Sequence, residues 1–590
     1  MTAFTNLLFR PAVIAVILFI VSLCYYGHAA LNFPTLFNID NQDNFAATRY
    51  IAEQHKLPVV TKDNKDVLFS DIGTTRSLRP PFTYIVSAIT ANLAEPFIDD
   101  PITRQRLGSP IIAALTVAIM FVGFYLAFSH LGLALSGTLA IALLPKFVFL
   151  ASCNNDDIGA ILSVSMMFSS IIALIKYREN ASYIKPVLFA LAFSLGLIFQ
   201  TKYTAWLTLP WFGLFCLIVL KPWWNRALKL LPMLFLIMVL AGGWWLGFNM
   251  VNYGVSDPSA LNYAAELQAE IKDIQPNRQG YASVGVQLTD LLLNHDAFLS
   301  NSYKSMIGYL QWLQLEVGLF TYLFYGLIFS IALVGIFFRS RVSHKESANF
   351  DLLVLVVILS QCAFYLHHNF IRDIQPQARY ILPIVMPLLY LFLRTVEQVP
   401  RSVLIVNFKT YSFGFRATIS LGVIVVCAIL HLNTLVNYIQ PSFVANPFFT
   451  KLNQTKAIDF QEDLEISSTN SLSYKFIDEK LELRKVGSGT PSLVFASSFC
   501  ERLPVNAIVV MNVSSPSAGG LYLRLDQNHQ GRYDNINWQS FSAGVSQLVF
   551  SVDSQDCTGA KITLAKNTYH LTLNSVQISE LRVHRYGKPI

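Results

Sequence analysis

At 590 residues, with 53% apolar and only 13% charged side chains and a mean hydropathy of +0.46, the chain holds more apolar surface than a soluble domain can bury. Its net charge of +7 does not indicate nucleic-acid binding. The basic residues fall in short connections between apolar runs, where membrane topology and adhesion to anionic lipid account for them.

Eleven runs stand out in chain order: 11–31, 107–128, 131–151, 157–176, 184–200, 203–220, 230–250, 313–338, 349–369, 379–396 and 417–437. Roughly 18 apolar residues cross a hydrocarbon core about 30 Å thick, so the sequence predicts a polytopic α-helical membrane protein with eleven spans. Ala29 and Ala30 after the first run also suit a cleaved signal peptide. However, only Arg10 is basic before it and the run is long for such a segment, so it is read as an uncleaved span.

Lys176 and Arg178, then Lys221, Arg226 and Lys229, then Arg339, Arg341 and Lys345, then Arg401, Lys409 and Arg416 occupy alternate connections. The positive-inside rule places all of them in the cytoplasm, with the N-terminus. Segments 32–106, 152–156, 251–312, 370–378 and 438–590 then face outward.

Within 32–106, an amphipathic helix is expected around Phe45–His55. The apolar stretch 82–94 is short for a span and suits a helix lying in the interface. Residues 1–438 read as the membrane domain with external loops 32–106 and 251–312. Residues 439–590 read as a separate extracytoplasmic domain. There alternation takes over at Leu521–Leu525, Leu548–Val552 and Tyr569–Leu573 between polar turns, which predicts an all-β sandwich. Five cysteines (Cys24, Cys153, Cys216, Cys362, Cys427) lie in or beside runs and read as small apolar residues. Cys500 and Cys557 share the outer domain, where an oxidising compartment permits a disulfide. No His/Cys metal spacing occurs.

Ionisable residues gather at the outer boundary. Asp40 and Asp43 follow the first run, and Asn154, Asn155, Asp156 and Asp157 connect the third and fourth. Lys202 sits in the turn between the fifth and sixth, and Arg372, Asp373 and Arg379 flank the turn before the tenth. Each has an ordinary reading: Asp40 and Asp43 as caps of a helix starting near Asn44, Asn154–Asp157 as an N-cap, Lys202 as a snorkelling side chain, and Arg379 as a span anchor. Together they bring acids and bases from separate loops to one face, which is a functional-site expectation in a membrane protein.

These residues resemble the membrane glycosyltransferases of GT-C fold, which include protein mannosyltransferases and lipid A aminoarabinose transferases. Asp40-Asn41-Gln42-Asp43-Asn44-Phe45 resembles the acidic motif after the family's first span. Arg79-Pro80-Pro81-Phe82-Thr83-Tyr84 resembles its Gln-Pro-Pro stretch, and Pro145 with Asn154-Asn155-Asp156 its Asn-Asp motif. Thr201-Lys202-Tyr203-Thr204, Gly243-Trp244-Trp245 with Tyr253-Gly254, and Gln377-Ala378-Arg379-Tyr380 with Pro383 complete six motifs in order over residues 10–400. The match is to a bacterial group of that fold. Asn41 stands where the family usually has Glu, Asn44 where it has His, Arg79 where it has Gln, and Asn249 where it has Arg, so this site is poorer in acid than the pattern.

The resemblance implies transfer of a hexosyl or pentosyl unit from a polyprenyl-phosphate donor to an envelope glycan, lipid or protein acceptor. The reaction would take place on the outer face of the bacterial inner membrane. Such chemistry needs a base for the attacking group, cations for the departing phosphate and an apolar groove for the lipid tail. Asp40 is expected as base and Asp156 as second carboxylate. Lys202 and Arg379, with Arg79, are expected on the phosphate, and Asp43, Asn155 and Tyr380 on substrate. Trp244, Trp245 and Tyr380 line the expected groove, although such aromatics also mark interface belts. No cofactor is required; a divalent cation between Asp40 and Asp156 is admitted. The β-domain reads equally as a carbohydrate-binding module or a structural lid. Two other classes stay open: a lipid-linked glycan flippase, and a non-catalytic envelope scaffold.

Overall fold

The computed structural model describes residues 10–32, 41–63, 75–98, 101–178, 180, 182–221, 224–270, 280–310, 315–337, 345–399, 405–408 and 411–439, together with β segments and residues 499–500 between 455 and 585. Eight described helices are long and apolar enough to cross a bilayer: Pro11–Asn32, Pro101–Phe128, Asp157–Tyr177, Tyr203–Leu220, Leu228–Tyr253, Asn349–Arg372, Ala378–Gln398 and Phe415–Ile439. The chain is a multi-pass membrane protein. Val21, Leu217, Leu240, Leu359 and Leu432 of these helices are all more than half exposed, as lipid-facing residues are.

The described helices leave the expected count of eleven spans unconfirmed. Run 131–151 is two helices, Leu131–Ala142 and Pro145–Ala151, bent by 66°. Pro145 has no N–H and its ring clashes with a preceding helical turn. The carbonyls freed near the bend are taken by tyrosines of other helices: Tyr325 donates to Ala140 and Tyr26 to Ala142, each at 2.8 Å. Runs 184–200 and 313–338 contain helices Ile184–Phe199 and Leu319–Val334, each 16 residues long. At 1.5 Å per residue these reach about 24 Å, short of the hydrocarbon core. Counting the bent pair as one span gives nine. Apolarity marks burial among helices as well as contact with lipid, so composition alone does not fix the count.

The stretch expected at the interface forms helix Phe82–Ala94. Tyr84, Ser87, Ala88 and Ala91 are buried, while Ile89, Leu93 and Phe97 are exposed at 55%, 71% and 85%. A four-residue spacing puts those three on one face. The helix lies against Pro101–Phe128 because position 108 is glycine: a Cβ there would stand 2.6 Å from the Ser87 Cα.

The expected helix near Phe45–His55 is Asn41–Gln54, which begins earlier than the sequence suggested. Asn44 lies inside it and does not cap it. It is 1% exposed, and its amide bonds to neighbouring elements.

After the membrane helices come two antiparallel sheets. One orders strands Asn535–Phe541, Gly519–Gln527, Cys557–Ala565, Ser492–Phe495 and Ile466–Ser468. The other orders Gly544–Val552, Ala507–Ser515, Ser575–Arg585, Lys480–Lys485 and Leu472–Ile477, with Thr455–Ile458 also paired to Ser575–Arg585. Leu493, Leu521 and Ile562 of the first share one core with Leu483, Met511 and Leu581 of the second, so the sheets form a sandwich. Leu521–Leu525 and Leu548–Val552 fall in strands as expected; Tyr569–Leu573 lies outside the described residues. Cys500 is disulfide-bonded, and the five cysteines of the apolar runs are free. The side chain of Cys557 lies outside the described residues.

A buried charge cluster as candidate active site

The connection Ser152–Asp156 links the bent helix pair to span Asp157–Tyr177, and all of it is buried. Burying a charge is costly unless it is paired; here two adjacent carboxylates are paired with cations from three other segments. Arg79 Nη1 donates to Asp156 Oδ2 at 2.9 Å. Lys202 Nζ is 3.0 Å from Asp156 Oδ1 and 2.7 Å from Asp157 Oδ1. Arg379 Nε is 3.7 Å from Asp157 Oδ2. Beneath the two cations from later segments lies the ring of Tyr380, 4.8 Å from Lys202 Nζ and 5.3 Å from Arg379 Cζ.

Each partner is placed by local structure. Lys202 precedes the short helix Tyr203–Trp206, in the turn that follows Ile184–Phe199. The Phe82 N–H donates to the Gln200 carbonyl at 3.1 Å, tying that turn to helix Phe82–Ala94. Arg379 lies in the 3-10 segment Ala378–Ile384, which opens the span ending at Gln398. Asn155 Oδ1 accepts from the Asp157 N–H at 2.8 Å, fixing the turn into the helix. Its Nδ2 has no hydrogen-bond partner among the described residues.

A neutral layer braces the connection from the other side. The Tyr84 hydroxyl lies 3.1 Å from Asn44 Oδ1 and 3.4 Å from Asp156 Oδ2. Asn44 Nδ2 donates to the Asn154 carbonyl at 2.8 Å, Asn154 Nδ2 to the Thr48 hydroxyl at 2.9 Å, and the Ser87 hydroxyl to Asn154 Oδ1 at 3.2 Å. Helix Asn41–Gln54, which follows Asp40, is thereby bonded to the connection that carries Asp156.

Burial raises the Asp156 carboxyl, but the charges of Lys202, Arg79 and Arg76 outweigh it and hold the group well below the usual carboxylate range. Asp156 is therefore a poor proton acceptor and a firm anchor for cations. Among the described residues no three His, Cys, Asp or Glu side chains converge as metal ligands.

Of the residues expected from sequence, Arg79, Asn155, Asp156, Lys202, Arg379 and Tyr380 come together. Asp40 lies outside the described residues, as does the side chain of Asp43. Trp245 is 2% exposed and packs on Tyr203 and Trp206, while Trp244 is 36% exposed.

Sequence reasoning left four members out. Asp157, fully buried between Lys202 and Arg379, is counted with the boundary acids in the sequence but given no role on substrate. Tyr84 and Asn44 carry no charge to draw notice. Lys146, 1% exposed, donates to the Tyr309 carbonyl at 3.0 Å and lies within electrostatic reach of Asp157 and Arg379. A lysine inside an apolar run is itself a signal of function, and it was available in the sequence.

No protein-family model matches the chain, and no curated protein does either. Among solved structures, ArnT from Cupriavidus metallidurans in the apo state is similar over 65% of this chain and 60% of that one, at 14% identity and a TM-score of 0.44. The same protein bound to undecaprenyl phosphate is similar over 65% and 60%, at 15% identity and a TM-score of 0.43. A family 29 carbohydrate binding module from Piromyces equi is similar over 22% of this chain and 89% of that one, at 8% identity and a TM-score of 0.18. The chain thus spans 60% of the length of the ArnT chains it matches, and no residue role is taken from any of these likenesses.

Proposed function

We propose that the chain is an integral membrane glycosyltransferase of the GT-C type, moving a sugar from a polyprenyl-phosphate carrier to an envelope glycan, lipid or protein acceptor. The reading places this on the outer face of a bacterial inner membrane, with the β-sandwich after residue 438 as an accessory extracytoplasmic domain. The observation that carries it is the cluster itself, in which Arg79, Lys202 and Arg379 converge from three segments on the buried carboxylates of Asp156 and Asp157. Lysine and arginine side chains gathered at one membrane boundary suit an anionic substrate, and a phosphate is the anion that they hold best. Four of the six motifs that keep the family order carry the cluster's charged residues Arg79, Asp156, Lys202 and Arg379.

In this reading Lys202, Arg379 and Arg79 take the charge that gathers on the departing lipid phosphate. Asp156 and Asp157 fix where those cations stand. Asp40, at the entry to helix Asn41–Gln54, receives the proton of the attacking group. Exposed apolar residues of helix Phe82–Ala94 offer the lipid tail a surface beside the reacting centre. No resident cofactor is called for, and a divalent cation is compatible with the scheme.

The test is release of sugar from a polyprenyl-phosphate donor by the purified chain, beside Lys202→Ala, Arg379→Ala and Asp40→Asn. Loss of turnover in all three supports the proposal. Undiminished turnover in Lys202→Ala and Asp40→Asn overturns it, and lipid-glycan scrambling in vesicles without transfer replaces it with a flippase.

A further inference from the structure

Near the charge cluster, the loop after helix Trp244–Tyr253 shapes an open cavity of about 450 Å³ lined by Tyr253, Ser256, Asp257, Asn262, Tyr263 and Glu266. Its walls are built firmly. Gly254 ends the helix at φ +115°, a conformation that side-chain-bearing residues rarely adopt. Asp257, 5% exposed, accepts the Leu261 N–H at 3.0 Å and the Tyr263 N–H at 2.9 Å, securing the first turn of helix Leu261–Glu270. The rings of Tyr253 and Tyr263 stack with centroids 4.9 Å apart, and the Tyr253 hydroxyl accepts the Val60 N–H at 3.2 Å.

The cavity is joined to the charge cluster by one residue. The Tyr203 hydroxyl is 2.7 Å from the Ser259 carbonyl on the cavity side and 3.2 Å from the Leu78 carbonyl on the other. Leu78 immediately precedes Arg79, the partner of Asp156.

The two sites differ in charge. Among the described residues no cation lines the cavity, and Asp257 and Glu266 contribute carboxylates, so a phosphate is disfavoured where the neighbouring cluster attracts it. The polar lining equally disfavours a prenyl chain. What such walls accommodate is a neutral polyhydroxylated ring. An aromatic surface takes its C–H face, while the Asn262 amide and Glu266 carboxylate, one helical turn apart, take its hydroxyls. We propose that this cavity is the saccharide subsite, holding the sugar of donor or acceptor while the lipid phosphate sits on Lys202 and Arg379. The proposal rests on the glycosyl-transfer reading for its biological role and on its own lining for its chemistry.

The experiment uses the full chain in lipid nanodiscs and saturation-transfer NMR with maltotriose, chitotriose and mannotriose as neutral probes and inorganic phosphate as competitor. At least one trisaccharide binds, phosphate does not displace it, and Asn262→Ala and Glu266→Gln each weaken it roughly tenfold, the loss of a hydrogen bond to a charged or amide group. Both positions are exposed on their helix, so folding is retained. Failure of all three probes to bind, equal binding by both variants, or displacement by phosphate overturns the subsite. Turnover then identifies the source: a raised KM for the lipid-linked sugar in Glu266→Gln identifies the donor's ring, and a raised KM for acceptor identifies the acceptor's. Trisaccharide binding without any transfer keeps the subsite and ends the glycosyltransferase reading; transfer with both KM values unchanged keeps the reading and ends the subsite.

Discussion

The Lys202 ammonium stands 2.7 Å from the Asp157 carboxylate, a contact in which the lysine side chain is 7% exposed and the aspartate fully buried. Asp157 is the first residue of a 21-residue helix, so the pair joins the start of one span to the turn before another. Removing one partner of a buried pair leaves an uncompensated charge and costs about 3–5 kcal/mol. Lys202→Met and Asp157→Asn are each expected to lose stability of that order in chemical unfolding from detergent micelles. The double variant recovers part of the loss, because neither charge of that pair is then left alone. Additive losses in the double variant argue against a direct pair.

Tyr84→Phe tests the neutral layer. The hydroxyl sits between Asn44 and Asp156, and its removal leaves a buried amide oxygen unsatisfied at about 1–3 kcal/mol. Sugar transfer is expected to fall through kcat with little change in KM for the donor, since the cations on the phosphate are untouched. A rise in KM alone assigns Tyr84 to binding.

Much of this was legible from the chain because it rests on cost. A charge at a membrane boundary is expensive wherever it lies in sequence, so Asp156, Lys202 and Arg379 could be grouped before any contact was known. Tyr84 and Asn44 could not be grouped that way, because a hydroxyl and an amide are inexpensive until they are buried, and burial is a property of the fold. Asp157 was hidden by an adequate local role as a cap. The span count is harder to read for the opposite reason: Ile184–Phe199 and Leu319–Val334 are as apolar as the eight long helices, and only their lengths separate them. The β-sandwich read clearly because alternation has a period of two whatever packs against it.

Lys146 makes a single described hydrogen bond, to the Tyr309 carbonyl, and its ammonium lies 5.1 Å from the centre of the Phe149 ring. It follows Pro145 at the start of the second helix of the bent pair. Replacing a buried charge with an apolar side chain of similar length is often neutral or stabilising. Lys146→Met is therefore expected to keep or raise the melting temperature while weakening binding of polyprenyl phosphate, because it removes positive charge near Asp157 and Arg379. Equal phosphate binding in the variant and the parent makes Lys146 a purely structural strut.

Asp156 gives a pH expectation with a definite sign. Its carboxyl is held below its ordinary value near 4. The stability it contributes is therefore complete above that value and lost only as pH falls through the lower folded value. Between about pH 5 and 8 it stays ionised, so phosphate binding shows no inflection from this group. Asp156→Asn lowers binding by the same factor throughout that window. An inflection present in the parent and absent from Asp156→Asn disproves the assignment.

Gly108 is the point where the membrane bundle presses on the helix that carries Tyr84 and Ser87. A methyl at 108 meets the Ser87 Cα at 2.6 Å and its N at 2.7 Å, both backbone atoms that cannot rotate aside. Gly108→Ala must therefore push helix Phe82–Ala94 outward, at about 1–3 kcal/mol for overpacking. The shift draws Tyr84 from Asp156 and Ser87 from Asn154, and a displacement near 1 Å at a reacting centre lowers rate by about a hundredfold. Gly213→Ala is the control, since its methyl meets nothing within 4 Å. Activity is expected to collapse in Gly108→Ala well before the protein unfolds, and to persist in Gly213→Ala. Ser87→Gly added to Gly108→Ala does not restore it, because the obstruction is the main chain; rescue by that second change places the clash on the side chain instead.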